Sequence, residues 1–283
     1  MSQHRKLVSE IVDRTVKAGK VVGRARRAGA GAGARASATV PPAQRSTALA
    51  YHSYDASLVD ADFRELLPPD LRRSVRFDVL RRRDPRFFQF QDTYYLSFPT
   101  HAELREYTAA TALARIHRTR VRLRPVDSSG AEGARLATAL RGYAANLRNA
   151  WDSRDAYFAG LEKTGAHSAQ NELSAQNADT PLAALAGLRP LEQCSALVWN
   201  LPAALRPQEV RDRFWFYDIR HCFKLYWDDA RDASPDPSSL HYFAFNSPAE
   251  AQKFKNNFHG TLYNGSPSHR LLVETLGQGS TDA

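Results

Sequence analysis

Between residues 195 and 276 the chain reads strand, helix, strand, strand, helix, strand, and that order leaves few folds open. Residues 196–201 and 240–245 are apolar and aromatic with strand-like alternation, 222–226 supplies a strand between them, and 270–275 closes the set. The helices expected at 207–217 and 248–259 begin on Pro207 and Pro248, where the missing N–H costs nothing, with Ser247 as a candidate cap. An acidic loop, 228–237, separates the second strand from the third. Residues 49–126 repeat the theme as βα(β)βαβ. A strand at 49–54 leads into a helix at 60–67 that Pro68 and Pro69 end, and an arginine-rich excursion precedes a strand at 93–98. Thr100 then caps a helix over about 101–116, and 119–124 alternates with period two. The expected fold class is α+β: two tandem ferredoxin-like, RNA-recognition-motif-like βαββαβ units with a long connecting helical region.

Around these units the chain divides into a basic targeting or disordered segment (1–48), a first degenerate unit (49–126), a helical region (127–163), a linker (164–194) and a second unit (195–276). In the helical region Leu136, Leu140, Tyr143, Leu147 and Trp151 recur at three- and four-residue steps, a stripe that has to pack on something. The formal charge of +9 is uneven: residues 1–48 carry +8, the first unit +4 and the second unit zero. The opening stretch is a basic amphipathic helix running into an acid-free Ala/Gly/Ser/Arg tract, as mitochondrial transit segments do. The other reading is a disordered basic arm that touches nucleic acid without specificity. No apolar run is long enough for a membrane span. Cys194 and Cys222, the only cysteines, are too few for a disulfide framework or a cysteine-only zinc site, which fits a reducing compartment.

An RNA-recognition motif binds bases on aromatics of its two inner strands. In the second unit, alternation turns Leu240 and Tyr242 outward while Phe243 and Phe245 face the helices, and Trp199 shares the outward face with Leu197. Burying Phe223 and Leu225 would put Lys224 and Tyr226 on that same face. The expected single-strand surface is therefore Trp199, Lys224, Tyr226 and Tyr242. The competing reading covers these aromatics with the long helix or a partner protein. In the first unit Tyr95 takes the stacking register, while Tyr94, Leu96 and Phe98 face inward. Arg120, Arg122 and Arg124 share one strand face, and Arg81, Arg82, Arg83 and Arg86 crowd the loop before the strand; phosphate contact is their natural use. Like charges on a solvated face are also ordinary surface.

Enzyme readings find little. There is no Gly-rich phosphate loop, no HExxH and no nucleophile elbow. Asp228, Asp229, Asp232 and Asp236 read as a solvated loop before a cation site, and His241 and Cys222 as packing residues. No cofactor is expected.

Several long strings carry a resemblance: Arg-Asp-Pro-Arg-Phe-Phe-Gln-Phe-Gln-Asp-Thr-Tyr-Tyr-Leu at 83–96, Leu-Val-Trp-Asn-Leu-Pro at 197–202, and Phe-Trp-Phe-Tyr-Asp-Ile-Arg at 214–220 continuing through Phe-Lys-Leu-Tyr-Trp-Asp-Asp at 223–229. With Lys-Val-Val-Gly at 20–23 and Asn-Leu-Arg-Asn-Ala-Trp at 146–151, they resemble the budding-yeast mitochondrial translational activators specific for cytochrome c oxidase subunit III. The resemblance implies a non-enzymatic matrix protein, bound peripherally to the inner membrane through partners. It implies action on the 5′ untranslated leader of the subunit III messenger with two other activators and the mitoribosome, and a part in splicing a group I intron. The Ala-rich linker and the short stretch 260–269 depart from it, and it supplies no RNA-contacting residues. The alternative function is a scaffold that bridges other activators to the mitoribosome without binding RNA.

Overall fold

The computed structural model describes residues 47–126, 131–167, 185, 187–202, 204–227, 239–266 and 269–277. The chain divides after Val40, and all described residues belong to the part from Pro41 to Ala283. Nearly all of the basic segment 1–48, the loop bearing Asp228, Asp229, Asp232 and Asp236, and most of the stretch 168–186 lie outside the described residues.

Two four-stranded antiparallel sheets carry the fold. The first is built from β1 (Ala48–His52), β2 (Asp78–Arg83), β3 (Phe90–Ser97) and β6 (Leu123–Pro125), in the order β2-β3-β1-β6. The second is built from β7 (Ser195–Trp199), β8 (Ile219–Trp227), β9 (Ser239–Phe245) and β10 (Leu272–Thr275), in the order β10-β7-β9-β8. In both, the first and third strands are central and the second and fourth are edges, the ferredoxin-like arrangement expected from the element order. The helices α1 (Asp60–Glu65) and α2 (His101–Ala110) cover one face of the first sheet, burying Phe63, Leu104 and Tyr107 against Leu49, Tyr51, Tyr94 and Leu96. The second sheet packs Ala196, Val198, Phe243 and Phe245 against Val210 and Phe214 of α6 (Pro207–Arg213) and its end, and Phe254 of α7 (Pro248–Phe258).

Local chemistry sets the boundaries. Thr100 Oγ1 accepts from the Glu103 N–H at 3.2 Å and Ser247 Oγ from the Glu250 N–H at 3.3 Å, so both helices start on a side-chain cap. The long helical stripe is two helices, α3 (Ala131–Asp152) and α4 (Arg154–His167). Ser153 ends one by donating its N–H to the Asn149 carbonyl, and opens the next by accepting from the Ala156 N–H at 3.0 Å. α4 thus runs on into the stretch expected as linker, whose far end holds a short α5 (Arg189–Gln193).

Two expectations in the first unit are corrected. The arginine-rich excursion is not a loop: Asp78–Arg83 is the edge strand β2. Its apolar content is only Val79 and Leu80, and arginines fill positions where strand periodicity would look for hydrophobes. The run from Thr119 to Arg124 is not one strand. It splits into β5 (Thr119–Arg120), paired with β4 (Arg115–Ile116) as a small hairpin, and β6, paired with β1. The hairpin turns on His117 and Arg118, both left-handed at φ 47° and 68°.

His241 packs on the helix side of β9, 2% exposed, opposite Lys224. Burial first, then the Lys224 charge, hold its pKa down to about 3. The ring is therefore neutral in the fold and protonates more readily once unfolded, so its stabilising share is whole above the unfolded value and is lost as pH falls. From about pH 6.5 downward stability should drop by up to about 1.4 kcal/mol per pH unit on its account, before carboxylates titrate. Urea midpoints between about pH 7 and about pH 5 measure this, and His241→Phe should reduce the dependence, leaving the smaller share of His221, whose pKa burial also lowers.

Candidate nucleic-acid interface

The outward faces of the two sheets are not open. Tyr242 is 0% exposed and Tyr95 4%, in a third apolar cluster that also takes Leu80 and Phe88 from the first unit, Tyr143 and Leu147 from α3, and Tyr157 from α4. The face assignments on β3, β7 and β9 hold: Leu197 lies across from Tyr242 and Trp199 across from Leu240, all turned to this cluster, whereas Tyr94 and Leu96 turn to α1 and α2. What fails is the assumption that the face is solvated. The amphipathic stripe of α3, which has to be covered by something, covers it.

On β8 the assignment inverts for Phe223, Lys224 and Leu225. Phe223 and Leu225 share the cluster with Tyr242, and Lys224, opposite His241, lies on the helix side near Glu209. Tyr226 reaches the cluster from its margin, past a register shift between Lys224 and Tyr226, with its ring 6.2 Å from Phe87. Lys224 differs because Phe223 and Leu225 are buried by the cluster and not by the helices, and the bulge after it adds a residue that returns Tyr226 to the outward face expected for it. Of the expected second-unit surface, then, Tyr242 is sealed, Trp199 and Tyr226 are half-buried against the seal, and Lys224 points elsewhere.

Polar groups lock the seal. Arg83, 3% exposed, places Nη2 2.9 Å from Glu274 of β10 and donates to the Leu276 carbonyl at 3.0 Å, while Nη1 donates to the Phe88 carbonyl at 2.8 Å. The tyrosine hydroxyls inside the cluster are engaged in turn: Tyr143 donates to Glu192 Oε1 at 2.6 Å, Tyr157 to the Arg86 carbonyl, and Tyr242 shares a 2.8 Å bond with Ser195. Phe88 is the pivot. It arrives from the β2–β3 turn with φ at 58°, and its ring sits 5.8–5.9 Å from those of Tyr143 and Tyr242. Magnitudes decide whether a nucleic acid could pry this apart. Tyr143, Tyr157, Tyr242, Phe88 and Phe223 are each fully buried, worth about 1.5–3 kcal/mol apiece. A base stack returns about 1–3 kcal/mol, so one or two bases cannot compensate. It follows that Trp199→Ala with Tyr242→Ala should act first on stability, by about 3–5 kcal/mol for the buried ring, as thermal unfolding would register.

The basic residues are what the fold leaves outside. Arg120, Arg122 and Arg124 are exposed but distributed, Arg120 in the hairpin with its Nη2 on the Ala112 carbonyl at 3.2 Å, Arg124 on β6 opposite Ala50. Arg115 and Arg118 join them, and from Leu113 to Val126 there are five arginines and no acid. Sequence reasoning passed over two exposed aromatic sites. Tyr54, 83% exposed, lies 5.2 Å from the His52 ring at the end of β1, and Trp215 and Phe216, 68% and 67% exposed, stack at 3.6 Å after α6. For the first pair the signal was the shared parity of Ala50, His52 and Tyr54. No group of His, Cys, Asp and Glu suited to a metal ion occurs among the described residues, and no described helix is long and apolar enough to cross a membrane.

Strand order, register and helix placement define a tandem RNA-recognition-motif-like fold whose two outer sheet faces are turned inward. The chain belongs to the Protein PET54 family. It is 32% identical to Protein PET54 of Saccharomyces cerevisiae over 275 residues, covering 93% of this chain and 89% of that protein. With Protein PET54 of Saccharomyces bayanus the identity is 36% over 222 residues, 76% of this chain and 71% of that one. Residues 45–136 match the family described as the Protein PET54 N-terminal domain. Among solved structures, the third RNA-recognition motif of Mip6 aligns at a TM-score of 0.23 and 19% identity, over 29% of this chain and 93% of that one. The two RNA recognition domains of Sex-lethal from Drosophila melanogaster align at 0.21 and 12%, over 81% and 98%. At such scores the strand order, not the superposition, carries the fold.

Proposed function

We propose that this protein is an RNA-binding translational activator of the mitochondrion that works on the 5′ leader of the cytochrome c oxidase subunit III transcript, without catalysis. Membership of the PET54 family and the strings that resemble the subunit III activators support it. The observation that carries RNA contact is the exposed, acid-free arginine run from Arg115 to Arg124. With the stacking faces closed, affinity comes mainly from phosphate contact, which depends on salt. Action with the other subunit III activators and the mitoribosome, peripheral association with the matrix side of the inner membrane, and a part in group I intron splicing belong to the same reading.

Changing Arg120, Arg122 and Arg124 together to serine should weaken binding to the leader RNA. It should also lower the slope of log K against log salt by up to about 0.7 for each phosphate no longer neutralised by a guanidinium. An unchanged slope would remove these arginines from the interface. A second reading, a scaffold that bridges other activators to the mitoribosome, is favoured by the sealed platforms together with the exposed Trp215–Phe216 pair, the residue types that anchor protein interfaces. Crosslinking to the leader in intact mitochondria separates the two. The scaffold reading wins if the arginine variant crosslinks like the parent while Trp215→Ala with Phe216→Ala loses the activators and the mitoribosome.

A further inference from the structure

The end of β1 and the β4–β5 hairpin come together in a way the sealed platforms do not explain. Asp55 accepts from the Ser57 N–H at 2.8 Å and from its hydroxyl at 2.6 Å through Oδ1, and its Oδ2 lies 3.1 Å from His117 Nδ1. The Ser57 hydrogen bonds, ahead of the His117 charge, hold the Asp55 carboxyl below its ordinary range. This contact pins the hairpin turn beside Tyr54. The hairpin itself is costly. Arg115 and Arg120 are direct cross-strand partners, an arrangement of like charges that destabilises a two-stranded ribbon, and its turn sets two side-chain-bearing residues in the left-handed region. Among the described residues Arg115, Arg118, Arg122 and Arg124 have no acidic partner. A polyanion removes the repulsion that the fold leaves in place.

The rings define which polyanion. His52 is on the same face of β1 as Ala50, whose cross-strand neighbour is Arg124, so an exposed ring and an exposed guanidinium stand at one corner of the first sheet. Tyr54 stands next to it, 83% exposed and tilted 59° to the His52 ring. We infer that His52 and Tyr54 form a base-stacking site for single-stranded RNA, with Arg115, Arg118 and Arg124 holding the flanking phosphates. The site rests on the RNA-binding reading above and gives it a base contact outside the closed platforms. An acidic peptide would use the arginines and leave the rings idle. An anionic lipid surface would engage Leu113, exposed at the foot of the hairpin, but one aliphatic side chain is a weak insertion element.

The test uses the full chain, a fluorescein-labelled random-sequence single-stranded RNA, and vesicles of phosphatidylcholine with phosphatidylglycerol. Both rings are exposed, so His52→Ala with Tyr54→Ala should leave the circular dichroism spectrum and unfolding midpoint as in the parent. RNA affinity should fall about fivefold or more, and His52→Ala with Tyr54→Phe, which keeps the ring, should recover most of that fall. Arg115→Ser with Arg118→Ser should reduce the salt slope by about 0.7 for each phosphate set free. Parent-like RNA affinity in the double alanine variant overturns this site and leaves RNA binding itself standing. A parent that ignores the RNA but binds the vesicles overturns both.

Discussion

Arg83→Ala should cost about 3–5 kcal/mol of unfolding free energy, because it removes one partner of a buried ion pair and leaves the other without its charge. The guanidinium spans the seam: it leaves β2 of the first unit and ends on Glu274 and the Leu276 carbonyl of the second. Alanine would leave the Leu276 and Phe88 carbonyls without that donor, while the Glu274 carboxylate, 24% exposed, would lose its counter-charge but keep some access to water. Lysine should not rescue, since a single ammonium cannot reproduce a planar fork that serves three acceptors. For a folded part of this size the destabilisation corresponds to a fall of about 10 °C in melting temperature. A shift within about 1 kcal/mol would mean that the pair is solvated and worth no more than a surface bridge.

Phe88 gives the second large effect and an unusual sign. Truncation to alanine should cost about 3–5 kcal/mol, since the ring is fully buried among Tyr143, Tyr157 and Tyr242. Its backbone is held at φ 58°, where a Cβ costs about 1–2 kcal/mol. Asp84 enforces that turn by accepting from the Arg86 and Phe87 N–H groups at 2.8 and 2.7 Å through Oδ1. Phe88→Gly should therefore be more stable than Phe88→Ala by about 1 kcal/mol, the reverse of the ordinary order in regular structure. Chemical denaturation of the two variants side by side decides it. Equal midpoints would show that the turn relaxes once the ring is gone.

What could be read from the sequence follows from what periodicity encodes. The alternation of Phe243 and Phe245 against Tyr242, and of Tyr94 and Leu96 against Tyr95, separates the two faces of a strand, and the structure places them so. Capping chemistry at Thr100 and Ser247 marks helix starts from a few residues. Three things were invisible. β2 carries Arg81, Arg82 and Arg83 in strand positions because the acceptors that make this tolerable, such as the Leu58 and Leu276 carbonyls, are remote in sequence. On β8 Phe223 and Leu225 bury on the cluster side, which turns Lys224 to the helices, and only the bulge after Lys224 keeps Tyr226 on the cluster side. Above all, a strand shows that a residue leaves the sheet, not what it meets. Tyr242 satisfies the stacking register whether a base or Phe88 lies against it, and only tertiary packing chooses.

The bond from Arg83 to the Leu276 carbonyl joins positions 193 apart in the chain, and it closes the interface on which both halves depend. Loops this long are slow to form, so the first half and the α3–α4 stripe, although they can meet each other early, must wait with part of their apolar surface uncovered until the second sheet has been delivered. A chain presented N-terminus first, by a ribosome or through a translocation pore, would pass through a stage with an adhesive apolar surface and no mate. Newly made copies should lean on holdase chaperones over that interval, and truncation before β10 should yield an insoluble product in place of a smaller soluble domain.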